Sequence, residues 1–187
     1  MSTGRKVYTR TGDDGTTGLL FGGRARKDAP GPTAYGTSDE AVSALGMARA
    51  DAERGGELDL LLIRLQRELF VVGAELATDP GRRDQLDDGL TRVTGAMVDA
   101  LEPVIDDIAG RFEPPQEFVL PGENRIAAAL DVARTVVRRT ERESVAATGA
   151  GWLDPSSHVV PYLNRLADLV YTLARWQEGH YRPVRER

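Results

Sequence analysis

Leu58, Leu61, Leu62, Leu65, Leu69, Val72 and Leu76 recur three and four residues apart. That spacing lines one side of an α-helix and is incompatible with the two-residue alternation of a half-buried strand. A helix with so long an apolar face needs other helices to cover it. Ile126, Leu130, Ala133 and Val137 repeat the arithmetic, as do Val159, Leu163, Leu166, Val170 and Leu173. Two weaker segments complete the set. Thr37 or Ser38 can cap a first helix, with Asp39 and Glu40 opposing the dipole of its first turn and Gly55–Gly56 ending it. Thr94 can cap a third, carrying Met97, Leu101, Val104, Ile105 and Ile108, in which Pro103 predicts a kink or a later start. The expectation is a single all-α domain, a five-helix up-and-down bundle over 38–178. A glycine-rich arm at 1–37 precedes it, with short extended pieces at VYTR and Leu19–Phe21, and a frayed tail at 179–187 follows.

Composition narrows the chemistry. Among 187 residues there is no cysteine, so disulfides, thiolate metal sites and a cysteine nucleophile are excluded. Neither His158 nor His180 follows a glutamate by three residues, which removes the di-iron type of bundle. No stretch approaches 18 apolar residues and the first residues contain no apolar core, so a cytoplasmic protein without a membrane segment is expected. A net charge of −5 speaks against a nucleic-acid partner. The charge is unevenly spread, however. Residues 1–27 carry six basic and two acidic side chains, and residues 124–142 carry five and two. Lys6 and Lys27 are the only lysines beside many arginines, a mild pointer to a site that wants a compact ammonium.

Both basic segments admit a binding and a structural reading. On the fourth helix Asp131, Arg134, Arg138, Glu141 and Arg142 form a stripe about a quarter turn from the core row. Arginine forks placed there suit phosphate or carboxylate oxygens, or they form a solvated face with ion pairs such as Arg138–Glu141. Asn164 and Asp168 stand in the same relation to the core row of the fifth helix, where an asparagine is commonly a buried hydrogen-bond fixture. In the arm, glycines free backbone N–H groups to turn toward an anion, and Thr9, Thr11, Thr16 and Thr17 add hydroxyls. The arm is either a phosphate cradle or a loose extension. It contains neither a Walker A loop nor a dinucleotide-binding glycine fingerprint.

Six segments in order extend a resemblance over nearly the whole chain: KVYTRTGDDGTTGL, Lys27–Asp28, AYGTSDE, EFVLPG, ALDVARTVVRRTER and YLNRLADLVYTLAR. Together they resemble the ATP:cob(I)alamin adenosyltransferases of the propanediol-utilisation (PduO-like) type. The resemblance implies a homotrimer with active sites between subunits and transfer of the 5′-deoxyadenosyl group of ATP to Co(I). It implies ATP contacts from Thr9, Thr11, Gly12, Asp13, Gly15, Thr17 and Lys27, and from Arg138, Glu141 and Asn164. It implies cobalamin binding by Phe118, Asp39 and Arg134, with an Asp39–Arg134 pair across the interface and Phe118 beneath the corrin ring, where it keeps the lower base off cobalt. Arg138, Asp39, Arg134 and Phe118 would be the residues that carry the reaction. ATP and cob(II)/cob(I)alamin are the implied ligands. Mg²⁺ would be held mainly through the phosphates, and an external reductase and an adenosylcobalamin-dependent mutase would be partners. Glu123, Asp131 and Thr140 depart from the usual pattern, the first two adding negative charge near the expected corrin pocket. The alternative is a non-catalytic adenosylcobalamin carrier or a nucleotide-sensing module on the same bundle.

Overall fold

The computed structural model describes residues 7–185, so Lys6 and the end of the tail fall outside it. A short hairpin, β1 (Thr16–Gly18) and β2 (Arg24–Arg26), leads into α1 (Pro30–Asp51) and α2 (Glu57–Leu76). A 3₁₀ turn at Pro80–Gln85 follows, then α3 (Gly95–Asp99), α4 (Glu102–Ala109) and β3 (Val119–Leu120). The chain continues as α5 (Arg125–Gly149), α6 (Val159–Glu178) and β4 (Arg182–Pro183). α5 packs against both α1 and α6, while α2 leans on α1 and α4 on α6. The three apolar rows meet in this core: Leu62, Leu65, Leu130, Val137, Leu163 and Leu166 are fully buried.

The fold is the expected all-α bundle, with three differences of detail. The first helix begins at Pro30, not at Ser38. Proline has no N–H to lose in a first turn, and Ala29 before it is extended. Thr37 and Ser38 therefore cap nothing. Thr37 Oγ1 donates to Ala34 O at 2.8 Å, and Ser38 Oγ donates to Leu69 O at 3.2 Å, joining α1 to α2. The expected third helix is two pieces: Pro103 sits in the first turn of α4, the later start of the two expected outcomes, and a separate short helix, α3, precedes it. Thr94 does cap α3, accepting from Met97 N at 3.3 Å. The tail is paired rather than frayed as far as it is described: β4 runs antiparallel to β3, with Val119 opposite Pro183 and Leu120 opposite Arg182.

α1 buries Gly31, Ala34, Ala41, Ala44 and Ala48, small residues that let its neighbours approach closely. Gly31 shows how closely. A Cβ there would lie 2.0 Å from the Trp152 ring, whose Nε1 donates to Leu76 O at 2.8 Å. Gly31→Ala is expected to destabilise the protein by about 1–3 kcal/mol through overpacking. That corresponds to a Tm lower by about 3–9 °C for a chain of this size. An unchanged melting curve would mean that the indole shifts aside freely. Glu75 links the connectors at the same end, accepting from Val93 N at 2.7 Å and Ser157 Oγ at 2.6 Å, and burial pushes its carboxyl up from the ordinary value. Among the described residues no helix is long and apolar enough to cross a membrane.

Candidate functional site

The arm is a built hairpin. Thr16 pairs with Arg26, Thr17 with Ala25 and Gly18 with Arg24. Leu19–Phe21 lies in the turn between the strands and VYTR forms no strand, so neither is the extended piece expected. Gly22 and Gly23, with φ of 91° and 87°, make the reversal, and such angles are easily adopted only without a Cβ. Two contacts dock the turn on the end of α2 and the 3₁₀ turn after it: Leu20 N donates to Ala77 O at 3.0 Å, and Arg82 donates to Phe21 O.

Side chains close the rest of the arm on itself. Lys27 Nζ donates to Gly12 O at 2.9 Å, and Lys27 N donates to Gly15 O at 2.9 Å. A Cβ at Gly12 would stand 3.1 Å from Thr16 O and 3.2 Å from Lys27 Nζ, so the glycine permits this closure. Thr9 and Thr11 share a hydroxyl hydrogen bond of 2.8 Å. Arg24 donates to Thr11 O and, through Nε, to Thr16 Oγ1 at 3.0 Å. Asp14 accepts from Thr16 N at 2.9 Å and from its hydroxyl at 2.7 Å, and these bonds hold its carboxyl below the ordinary value. Asp13 is exposed beside it, while Thr17 is half-buried.

The helical group has a different character. Asn164 Nδ2 donates to Glu141 Oε1 at 3.0 Å across α6 and α5, which uses the carboxylate that the Arg138–Glu141 reading would have required. Arg138 is exposed, and its guanidinium has no partner among the described residues. Asp39 is likewise exposed and unpaired, while its neighbour Glu40 takes Arg139. Arg134 does not meet Asp39 within the chain. Its Nε donates instead to Asp131 Oδ1 at 3.3 Å. Phe118, next to β3, exposes 89% of its surface while its carbonyl accepts from Val184 N at 2.9 Å.

The structure thus brings Glu141 to Asn164, Gly12 to Lys27 and Thr9 to Thr11. No hydrogen bond or ion pair among the described residues joins the arm to Arg138, Glu141 or Asn164. The added negative charges are both answered. Glu123 faces His180 at 3.1 Å and Arg182 at 3.3 Å, and Asp131 is buried against Arg175. Sequence reasoning missed Arg24, Arg175 and Arg182 in these roles. Each partner is distant along the chain, and only the i,i+3 spacing of Asp131 and Arg134 was visible.

Fold and site define an all-helical protein with a backbone-rich arm and an outward arginine, an arrangement suited to an anionic ligand. Residues 7–177 match the cobalamin adenosyltransferase family. A corrinoid adenosyltransferase from Citrobacter freundii is 42% identical over 177 residues, covering 92% of this chain and 95% of that one. The corrinoid adenosyltransferase PduO of Salmonella typhimurium is 39% identical over 173 residues, and this chain spans 50% of its greater length. A variant of a PduO-type ATP:corrinoid adenosyltransferase from Lactobacillus reuteri, complexed with cobalamin and ATP, superposes with a TM-score of 0.82 at 29% identity. It covers 92% of this chain and 91% of its own. The chain belongs to the cobalamin adenosyltransferase family, as a corrinoid adenosyltransferase of the PduO-like type.

Proposed function

We propose that this chain transfers the 5′-deoxyadenosyl group of ATP to cob(I)alamin. The Co(I) electron pair attacks C5′, the C5′–O bond breaks, and a Co–C bond forms as triphosphate leaves with the bonding pair. Cobalt ends formally as Co(III). The step needs no protein nucleophile and no general base, in keeping with a chain that has no cysteine. The protein's task is positioning and charge stabilisation. The observation that carries this reading is the exposed guanidinium of Arg138 on α5, without a partner among the described residues, one turn from Glu141, which Asn164 of α6 holds in place.

In this reading Arg138 meets the departing phosphates, and Glu141 with Asn164 holds the ribose or the phosphates. Thr9, Thr11, Gly12, Asp13, Gly15, Thr17 and Lys27 wrap the nucleotide. The resemblance implies a homotrimer in which the arm of one subunit serves the helices of the next; in support, no hydrogen bond or ion pair among the described residues joins the arm to Arg138, Glu141 or Asn164 of its own chain. Asp39, exposed and without a partner among the described residues, then reaches Arg134 of a neighbouring copy, and the pair serves the cobalamin side of the site. Phe118 presents its ring beneath the corrin, excluding water and the lower base. Mg²⁺ belongs to the nucleotide as MgATP and shares the phosphate charge. Among the described residues no group of three or more His, Asp and Glu is placed to hold an ion. A cytoplasmic reductase supplies Co(I), and an adenosylcobalamin-dependent mutase receives the product.

Mixing the protein with MgATP and chemically reduced cobalamin is expected to yield the adenosylcobalamin spectrum and one triphosphate per cobalamin. Absence of both products defeats the catalytic reading. Binding of adenosylcobalamin without triphosphate release would identify a carrier instead.

A further inference from the structure

Asp131 is 4% exposed, and its two carboxylate oxygens serve two arginines. Oδ2 accepts from Arg175 Nη2 at 2.5 Å, and Oδ1 accepts from Arg134 Nε at 3.3 Å. The two arginines differ sharply. The Arg175 side chain, in the last turn of α6, is 2% exposed and lies over the Tyr171 ring at 5.3 Å. Its Nε is 3.0 Å from Glu178 Oε2, so the charges alternate from Arg134 through Asp131 and Arg175 to Glu178. The Arg134 side chain is 29% exposed, and among the described residues only its Nε is engaged, which leaves both terminal nitrogens to act as a fork.

A buried carboxylate is tolerated only when opposite charge and hydrogen bonds surround it. Arg175 supplies the charge from the interior side. Asp131 can then spend its second oxygen on the Arg134 Nε, which leaves the Nη1/Nη2 edge for an end-on bidentate contact. An arginine otherwise has many rotamers, and an acceptor on Nε selects among them.

We infer that Asp131 is a positioning residue for Arg134, with Arg175 as the buried counter-charge that holds Asp131 in place. The inference rests on the reading that Arg134 serves the cobalamin side of the site. A double-mutant cycle tests it. Asp131→Ala is expected to raise KM for cobalamin about tenfold, the equivalent of one charge-assisted hydrogen bond, with KM for ATP unchanged. In an Arg134→Ala background it should add nothing. The Arg134 Nε–H, followed by NMR, should exchange with solvent faster in Asp131→Ala. Full multiplication of the two kinetic losses, or an equal rise in both KM values, assigns Asp131 a merely structural role and overturns the inference. If Asp131→Ala does not fold, Asp131→Leu with Arg175→Met and Glu178→Gln removes the three buried charges together, and the same expectations apply to that variant. If Arg134→Ala leaves the kinetics untouched, the reading of Arg134 as a site residue falls. The exchange rate still decides the positioning: faster exchange upholds it, and unaltered exchange overturns it.

Discussion

Arg138→Ala is expected to lower kcat by about two to three orders of magnitude while far-UV ellipticity and Tm stay at parent values. The size follows from the role. A preorganised donor aimed at charge that develops in the transition state typically contributes that much when removed. The unchanged stability follows from the structure, since the Arg138 guanidinium is exposed and bonded to nothing within the described chain. Substitutions at such positions usually change stability by less than about 0.5 kcal/mol. Arg138→Lys should fall between the two, keeping charge but losing the planar fork. Single-turnover measurements with pre-reduced cobalamin isolate the chemical step, and a rate within twofold of the parent would remove Arg138 from the site.

Phe118→Ala is expected to separate two routes to the same product. With Co(II) substrate and a reductant the rate should fall about ten- to a hundredfold more than with pre-formed Co(I). That factor is what excluding water with a phenyl ring is worth, about 1.5–3 kcal/mol. Displacing the lower ligand eases reduction and is no longer needed once Co(I) exists. The loop that carries Phe118 should survive the change, because the backbone holds it: Val184 N on its carbonyl, and β3 paired with β4 just after it. Equal slowing of both routes would contradict the role in cobalt reduction and leave Phe118 as a general corrin contact.

The rows of Leu58–Leu76, Ile126–Val137 and Val159–Leu173 were legible because large apolar side chains at helical spacing have one packed solution. α1 was legible only in part. Apart from Leu45 and Pro32 its buried face is alanine, glycine, threonine and serine, so periodicity gives little contrast, and Pro30, Gly31 and Pro32 read as loop punctuation although they form its first turn. Ser38 followed by Asp39 and Glu40 imitates a cap, yet its hydroxyl is spent on Leu69 O, an acceptor 31 residues away. The pairing of the tail with β3 was invisible for a related reason: two residues per strand leave no alternation to detect. At the site, residue types in order sufficed to nominate Arg138, Glu141, Asn164 and Lys27. They could not show that Glu141 is committed to Asn164, or that Asp131 is buried between two arginines. Those facts depend on which helix faces come together.

Trp152 has a use beyond packing. The chain contains two tryptophans, and Trp152 lies against Gly31 in the first turn of α1, just after the hairpin, with its N–H on Leu76 O. Trp176 sits elsewhere, 5.4 Å beneath the Arg111 guanidinium. Indole emission responds to local polarity and quenching, so in a Trp176→Phe variant, which removes the overlapping second emission, Trp152 reports any nucleotide that shifts the first turn of α1. The close approach that makes a methyl group at Gly31 costly thereby equips the protein with a label-free optical probe of the junction between its hairpin and its helices.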